Sequence, residues 1–333
     1  MPEQLRFIRK PAESLPVFAL NPPMLALIYA TRRAHSVLHL SIPELLKSGA
    51  QIVANIHHSH GVKATVSIVK LSQRYPHWTP AFWLDALEHA GWNNELRITD
   101  RAVAPIGEFS PKRAKILIAR GVLPLSYSAV RSWVNAQGGD VVASTYLDVA
   151  CADPEYLGHR LSILLAFIES WPYFAASNQH DAWADRLCEY LVACQFKDQS
   201  PEPVTEIFDR DECLSIVLAR PGFFGHHAIT LMWALRLENR LSPAQLNRVF
   251  SWSIRAAKST YADDEDNVKL NPVVGQNPTK AVLEIALRDL LLKGRSNIHL
   301  LTLADTIAQL WDIASPAQQQ QLLALAYSTS PTA

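Results

Sequence analysis

Apolar residues recur at helical spacing along almost the whole chain, and the strict alternation expected of half-buried strands is almost absent. This pattern predicts an all-α protein, a globular array of many short helices without a significant sheet. The predicted helices are Met24–Ala34, Ile42–Ser48, Ala50–Gln73, Ala81–Ala90, Pro111–Arg120, Ser126–Ala136, Pro154–Ser170, His180–Gln195, Val204–Ala219, Phe224–Glu238, Pro243–Tyr261, Pro278–Leu292, Ile298–Ile313 and Pro316–Tyr327.

Several predicted helices begin with the same signature, a small polar residue followed by proline. It occurs at Thr79-Pro80, Ser110-Pro111, Asp153-Pro154 and Ser242-Pro243. The polar side chain can accept a hydrogen bond from the first helical turn, and proline is tolerated there because its missing N–H would have no partner in any case. We therefore expect short connections between helices rather than strand turns.

Proline-rich and polar stretches divide the chain into four predicted segments. Residues 1–21 are an irregular N-terminal arm, and residues 22–200 are a helical N-terminal half. Residues 201–328 are a helical C-terminal half packed on it as one globular unit, and residues 329–333 are a tail. The boundary falls in the stretch DQSPEP at 198–203, and the longest predicted loop is Tyr261–Asn277.

The charge balance and the cysteine content narrow the class of protein. The 31 basic residues equal the 31 acidic ones, which argues against a broad nucleic-acid surface. No stretch reaches the roughly 18 apolar residues of a membrane span, and the first residues lack the apolar core of a signal peptide. The four cysteines include no C-x-x-C pair, so we expect free thiols in a reducing compartment. These features predict a cytoplasmic protein that binds neither nucleic acid nor membrane.

Histidines are the residues with the clearest chemical potential, because phosphate-binding loops, G-x-G-x-x-G, G-x-S-x-G and H-E-x-x-H are all missing. His57, His58 and His60 lie within four positions, and the first and last of them share a helix face. His226 and His227 are adjacent, and His299 begins an apolar helix. A single histidine at a helix start is commonly a cap or a packing residue. Three imidazoles crowded on one apolar helix are costly to bury without partners.

Three histidine-bearing segments together resemble the questin oxidase-like family. They are SHGVKATVSIVKL, with His60 and Gly61 in the family positions, HHAITLMWALR, led by His226, and IHLLTLADTIAQL, with His299, Leu301 and Thr302. The family often has a further histidine where this chain has Trp233. The resemblance implies a non-heme iron held by imidazoles from distant helices. It also implies additional ligands, including a modified lysine, whose positions it does not assign. The chemistry it implies is oxidative cleavage of aromatic, polyketide-like rings with dioxygen, in some cases with a reduced nicotinamide.

Two functions follow as hypotheses. In the first, His60, His226 and His299 converge on one Fe(II) ion, with His57, His58 or His227 as a fourth ligand or a supporting group. The protein is then a metal-dependent oxidoreductase acting on an aromatic or polyketide-like small molecule, with NADPH as a possible co-substrate. An apolar pocket lined by residues such as Phe223, Phe224, Met232 and Trp233 would suit a flat substrate. In the second, the protein is a metal-free helical protein that binds a partner protein or a small ligand without catalysis.

Overall fold

The computed structural model describes residues 59–89, 106–155, 157–176, 180–194, 196, 204, 206–259, 270, 277–293 and 297–328. Within these ranges the chain forms 14 α-helices and two short 3-10 helices, and it contains no strand. The prediction of an all-α protein is therefore confirmed. The N-terminal arm, the helices predicted at Met24–Ala34 and Ile42–Ser48, most of the loop Tyr261–Asn277 and the tail lie outside the described residues.

The helices are numbered here in chain order. They are α1 (Ser59–Arg74), α2 (Pro80–His89), α3 (Pro111–Ala119), α4 (Leu123–Gln137), α5 (Gly139–Ser144), α6 (Leu147–Ala152), α7 (His159–Ala176), α8 (His180–Cys194), α9 (Arg210–Ala219), α10 (His226–Arg236), α11 (Pro243–Lys258), α12 (Lys280–Lys293), α13 (His299–Trp311) and α14 (Pro316–Ser328). The 3-10 helices are Phe223–Gly225 and Glu238–Arg240.

Most of the predicted helix starts are confirmed by their capping hydrogen bonds. The Ser110 hydroxyl accepts from the N–H of Arg113 at 3.3 Å, and Ser242 forms a reciprocal capping box with Gln245. The Thr79 hydroxyl accepts a hydrogen bond from the backbone N–H three residues later in the chain, at 3.2 Å. In each case the side chain satisfies an N–H that has no partner within the helix.

The start predicted at Asp153-Pro154 is wrong. There the Asp153 side chain accepts from the N–H of Glu155, and Glu155 has a φ of 72°, so the chain turns instead of entering a helix. Helix α7 begins only at His159. Two short helices, α5 and α6, also occupy a stretch for which no helix was predicted, and α9 begins at Arg210 rather than at Val204 because Asp209 caps it there.

Four helices from both predicted halves of the chain form the centre of the structure. Helix α1 packs against α7 and α13, and α10 packs against the same two helices, which closes a ring of four. The other helices pack around this ring and bury large side chains such as Trp133 and Trp183. All four cysteines carry free thiols, as expected. Within the described ranges, no helix has both the length and the apolar character needed to cross a membrane.

Candidate metal centre

Each helix of the central ring contributes one histidine to a single cluster. His60 lies at the beginning of the described part of α1, and His159, His226 and His299 are the first residues of α7, α10 and α13. One ring nitrogen from each of the four lies within 4.8 Å of the others. The ring centroids of neighbouring members are 4.5–4.9 Å apart. We call these residues the four-histidine cluster.

Glycines allow the helix starts to approach closely enough for the rings to meet. Gly158 precedes the histidine of α7, has a φ of 69°, and lies so near α10 that an added Cβ would stand 2.1 Å from Thr230 Oγ1. Gly225 precedes the histidine of α10, has a φ of 77°, and a Cβ there would stand 2.6 Å from Leu303 Cδ1 of α13. Both positions need glycine for its backbone conformation and for its lack of a side chain.

The segment before α10 places two aromatic rings against the cluster. Gly222 and Phe224 both have positive φ, 78° and 46°, and for a phenylalanine this conformation is uncommon. The Phe223 ring stacks on His226 with centroids 6.0 Å apart, and the Phe224 ring stacks on His299 at the same distance. Strained backbone of this kind persists only where the surrounding packing fixes it.

Hydrogen bonds at Nδ1 orient two of the rings. His226 Nδ1 bonds to the carbonyl oxygen of Phe223, which can only accept, so Nδ1 carries the proton. His299 Nδ1 lies 2.8 Å from Asn297 Oδ1, an oxygen that also accepts the backbone N–H of His299. That nitrogen must therefore be a donor too. Both rings present Nε2 to the cluster, in the arrangement by which protein carbonyls commonly orient metal-binding histidines.

The spacing of the nitrogens suits a metal ion. The Nε2 atoms of His60 and His159 are 3.0 Å apart. With metal–imidazole bonds of about 2.1 Å, two ligands at a right angle stand about 3.0 Å apart and two opposite ligands about 4.2 Å. The observed range of 3.0 Å to at most 4.8 Å lies close to these values. His226 Nε2 is buried and has no hydrogen-bond partner, so its lone pair faces the cluster unsatisfied.

Electrostatics keep the buried part of the cluster neutral. Burial and, to a smaller extent, the nearby charge of Lys63 lower the pKa of His226 to about 4, so its imidazole is neutral at physiological pH. Lys63 lies one turn after His60, is only 1% exposed, and donates to Ser162 Oγ at 3.3 Å. Burial also lowers the pKa of Lys63, to about 7, although the charge of Glu155 opposes the shift.

The structure brings together three of the residues proposed from the sequence, His60, His226 and His299. His227 is not part of the cluster, because it turns to the carbonyl oxygen of Arg220 at 3.2 Å and packs edge-on against Trp252. The other two candidates, His57 and His58, lie outside the described residues.

Among the proposed pocket residues, Phe223 and Phe224 are half-buried beside the cluster, whereas Met232 and Trp233 are fully buried in the core.

His159 and Lys63 are two residues of this site that were not predicted from the sequence. His159 has no second histidine near it in the sequence, and the predicted helix start at Pro154 placed it inside a helix, where nothing suggested a site. One signal was present in the sequence: α7 and α10 both begin at a glycine–histidine pair, Gly158-His159 and Gly225-His226. Lys63 gave no signal, since a lone lysine on an amphipathic helix is ordinarily solvated.

Comparison with protein-family models, with curated proteins and with solved structures found no match to this chain.

Proposed function

We propose that the four-histidine cluster binds a non-heme iron ion and that the protein is an oxidoreductase acting on an aromatic or polyketide-like small molecule. The observation that carries the proposal is the convergence of four imidazole nitrogens within 4.8 Å, one of them buried and without a partner. A buried polar atom without a hydrogen bond is costly, and a metal ion would relieve that cost. The resemblance to the questin oxidase-like family supplies the choice of iron and of substrate class.

The donor set agrees with a catalytic rather than a purely structural ion. Neutral imidazoles suit Fe(II), and four ligands leave two positions of a six-coordinate ion for dioxygen and a substrate. The chain's own groups would orient the ligands: the Phe223 carbonyl and the Asn297 side chain hold Nδ1 protonated on two rings. The stacked rings of Phe223 and Phe224 offer an apolar surface on which a flat aromatic substrate could lie beside the cluster.

Metal content tests the first half of the proposal. Protein purified without an affinity tag should bind close to one Fe(II) per chain after anaerobic addition, measured by elemental analysis. His159→Gln should abolish this binding, and the double variant with His226→Gln should lose no more, because the ligands act as one unit. His227→Gln is the matched control: it removes the neighbouring buried histidine, which lies outside the cluster. Loss of iron from the control equal to that from His159→Gln would contradict the proposal.

Oxygen consumption tests the second half. The Fe(II)-loaded protein should consume dioxygen in the presence of hydroxylated quinones, with or without NADPH, and His159→Gln should not. Stoichiometric iron binding without uptake that depends on any such substrate would leave a metal protein of another kind and would remove the oxidoreductase assignment.

A metal-free binding protein is the second candidate, and one contact favours it. The 3.0 Å separation between the Nε2 atoms of His60 and His159 is also that of a direct hydrogen bond, in which one ring donates and the other accepts. In that case single substitutions of the cluster histidines should lower stability by ordinary, additive amounts. None of them should change the metal content.

A further inference from the structure

The four-histidine cluster supplies no negative charge to a bound cation. Among the residues that the structure describes, the group of possible ligands consists of four imidazoles, with neither a carboxylate nor a thiolate. A divalent ion held by neutral donors keeps its full charge in a partly buried site. Such a charge is costly to bury unless an anion accompanies it.

Lys63 adds a hydrogen-bond donor beside the cluster, and a bound anion would favour its charged form. Its side chain is buried, it lies one helical turn from His60, and its charge acts on His226. The hydrogen bond to Ser162 Oγ uses one of the three hydrogens that an ammonium group can donate. Lys63 is therefore placed to donate to a ligand that enters between α1 and α7.

The helix directions add to the same field. Helices α7, α10 and α13 begin at histidines of the cluster, so the positive ends of three helix dipoles point towards it. Helix starts are common anion sites because their N–H groups and dipoles favour negative charge. Here a second observation accompanies them, since His226 Nε2 is buried, has no partner, and faces the same point.

We propose that the cluster takes an anionic oxygen ligand beside its metal ion and that Lys63 donates a hydrogen bond to that oxygen. This inference rests on the metal site proposed above and adds the charge of the ligand that the site accepts. The oxygen can come from a carboxylate or from an ionised phenol. Each would offset the charge of the ion, of Lys63 and of the three helix starts.

The test uses cobalt(II)-loaded protein, whose visible absorption reports the ligands of the metal. Formate is the anionic probe, formamide is its neutral counterpart of similar shape, and 4-nitrophenolate represents ionised phenols. Formate should change the spectrum saturably and formamide should not.

Lys63→Met should weaken formate binding by about 10- to 100-fold, the worth of a hydrogen bond to a charged group. Lys115→Met, which removes an exposed lysine on α3, outside the ring of four helices, should leave it unchanged. Saturation by 4-nitrophenolate but not by formate would identify the source as a phenol.

Each contrary result has a distinct meaning. If the wild-type protein binds no cobalt, the proposed metal site fails and the inference fails with it. If cobalt binds and neither formate nor 4-nitrophenolate is a better ligand than formamide, the inference alone is overturned. Loss of cobalt from Lys63→Met but not from Lys115→Met would make Lys63 a metal ligand itself, which also overturns the inference. If Lys63→Met does not fold, the wild-type comparison of formate with formamide decides.

Discussion

Gly158→Ala should separate the helix starts that form the four-histidine cluster. Gly158 has a φ of 69°, and an added Cβ would stand 2.1 Å from Thr230 Oγ1 and 2.8 Å from Thr230 Cβ. The left-handed conformation costs an alanine roughly 1–2 kcal/mol. Overpacking against α10 costs about 1–3 kcal/mol more. The free energy of unfolding should therefore fall by roughly 2–5 kcal/mol, and α7 must shift away from α10.

Gly121→Ala is a matched control for the backbone cost. Gly121 has a nearly equal φ of 65°, but a Cβ there would meet its nearest neighbour, Val192 Cγ1, at an ordinary 3.7 Å. It should lose only the roughly 1–2 kcal/mol of the left-handed conformation. Thr230→Ala should partly rescue Gly158→Ala, because it removes the oxygen at 2.1 Å, and a double-mutant cycle measures this coupling.

Urea denaturation gives the stabilities, and Fe(II) titration of the folded variants gives the effect on the cluster. Gly158→Ala should weaken Fe(II) binding, because the histidine next to it moves with the backbone, whereas Gly121→Ala should not. Equal losses of stability in the two variants, with no rescue by Thr230→Ala, would refute the reasoning that close packing at Gly158 brings the rings together.

Three further substitutions test other parts of the structure. Arg236→Met leaves Asp305 buried without its arginine and should lower the free energy of unfolding by about 3–5 kcal/mol. Adding Asp305→Leu should recover part of this loss, measured by urea denaturation. A double variant as unstable as the sum of the two single variants would contradict this. The Arg74 guanidinium lowers the pKa of Asp312. Because both groups are partly exposed, the pair should contribute under about 1 kcal/mol to the free energy of unfolding. This contribution is present above the unfolded pKa of aspartate, about 3.9, and is lost as the pH falls through the lower folded pKa. Asp312→Asn should therefore destabilise the protein at pH 7 and not at pH 2. Asn297→Ala removes the acceptor that orients the histidine of α13 and should weaken Fe(II) binding about 10- to 100-fold in a direct titration, with an unchanged affinity counting against it.

Local signals predicted the helices well because they depend on neighbouring residues. The serines at 110 and 242 cap their helices as expected, since a cap and its partner are only three positions apart. The error at Asp153 has the same origin. Its side chain and proline resemble a helix start, and the positive φ of Glu155 that turns the chain away is not marked by a glycine.

The candidate site could be predicted only in part, because it depends on contacts between distant segments. His60 meets His159 across 99 positions, and Lys63 meets Ser162 across the same separation. The sequence predicted that His226 and His299 lie near the start of apolar helices. The position of a helix start does not show which other helix it faces. Burial of Lys63 is likewise a property of the packed ring and not of its own helix.

Two buried or half-buried ion pairs lie at a common depth beneath the cluster. Lys70 and Glu169 are each ten residues beyond the histidine of their own helix, and their pair links α1 to α7 at 2.5 Å. Arg236 is ten residues beyond His226 and pairs at 2.7 Å with the carboxylate of α13.

That carboxylate, Asp305, lies only six residues beyond His299, so its Cα is about 6 Å nearer the cluster along the helix axis than that of Arg236. A long arginine side chain in a helix points back towards the N-terminus, which closes this gap. A slip of either helix by one turn would therefore bury an unpaired charge. We infer that the two pairs fix the register of neighbouring helices, so that four histidines separated by up to 239 positions arrive at one level of the ring.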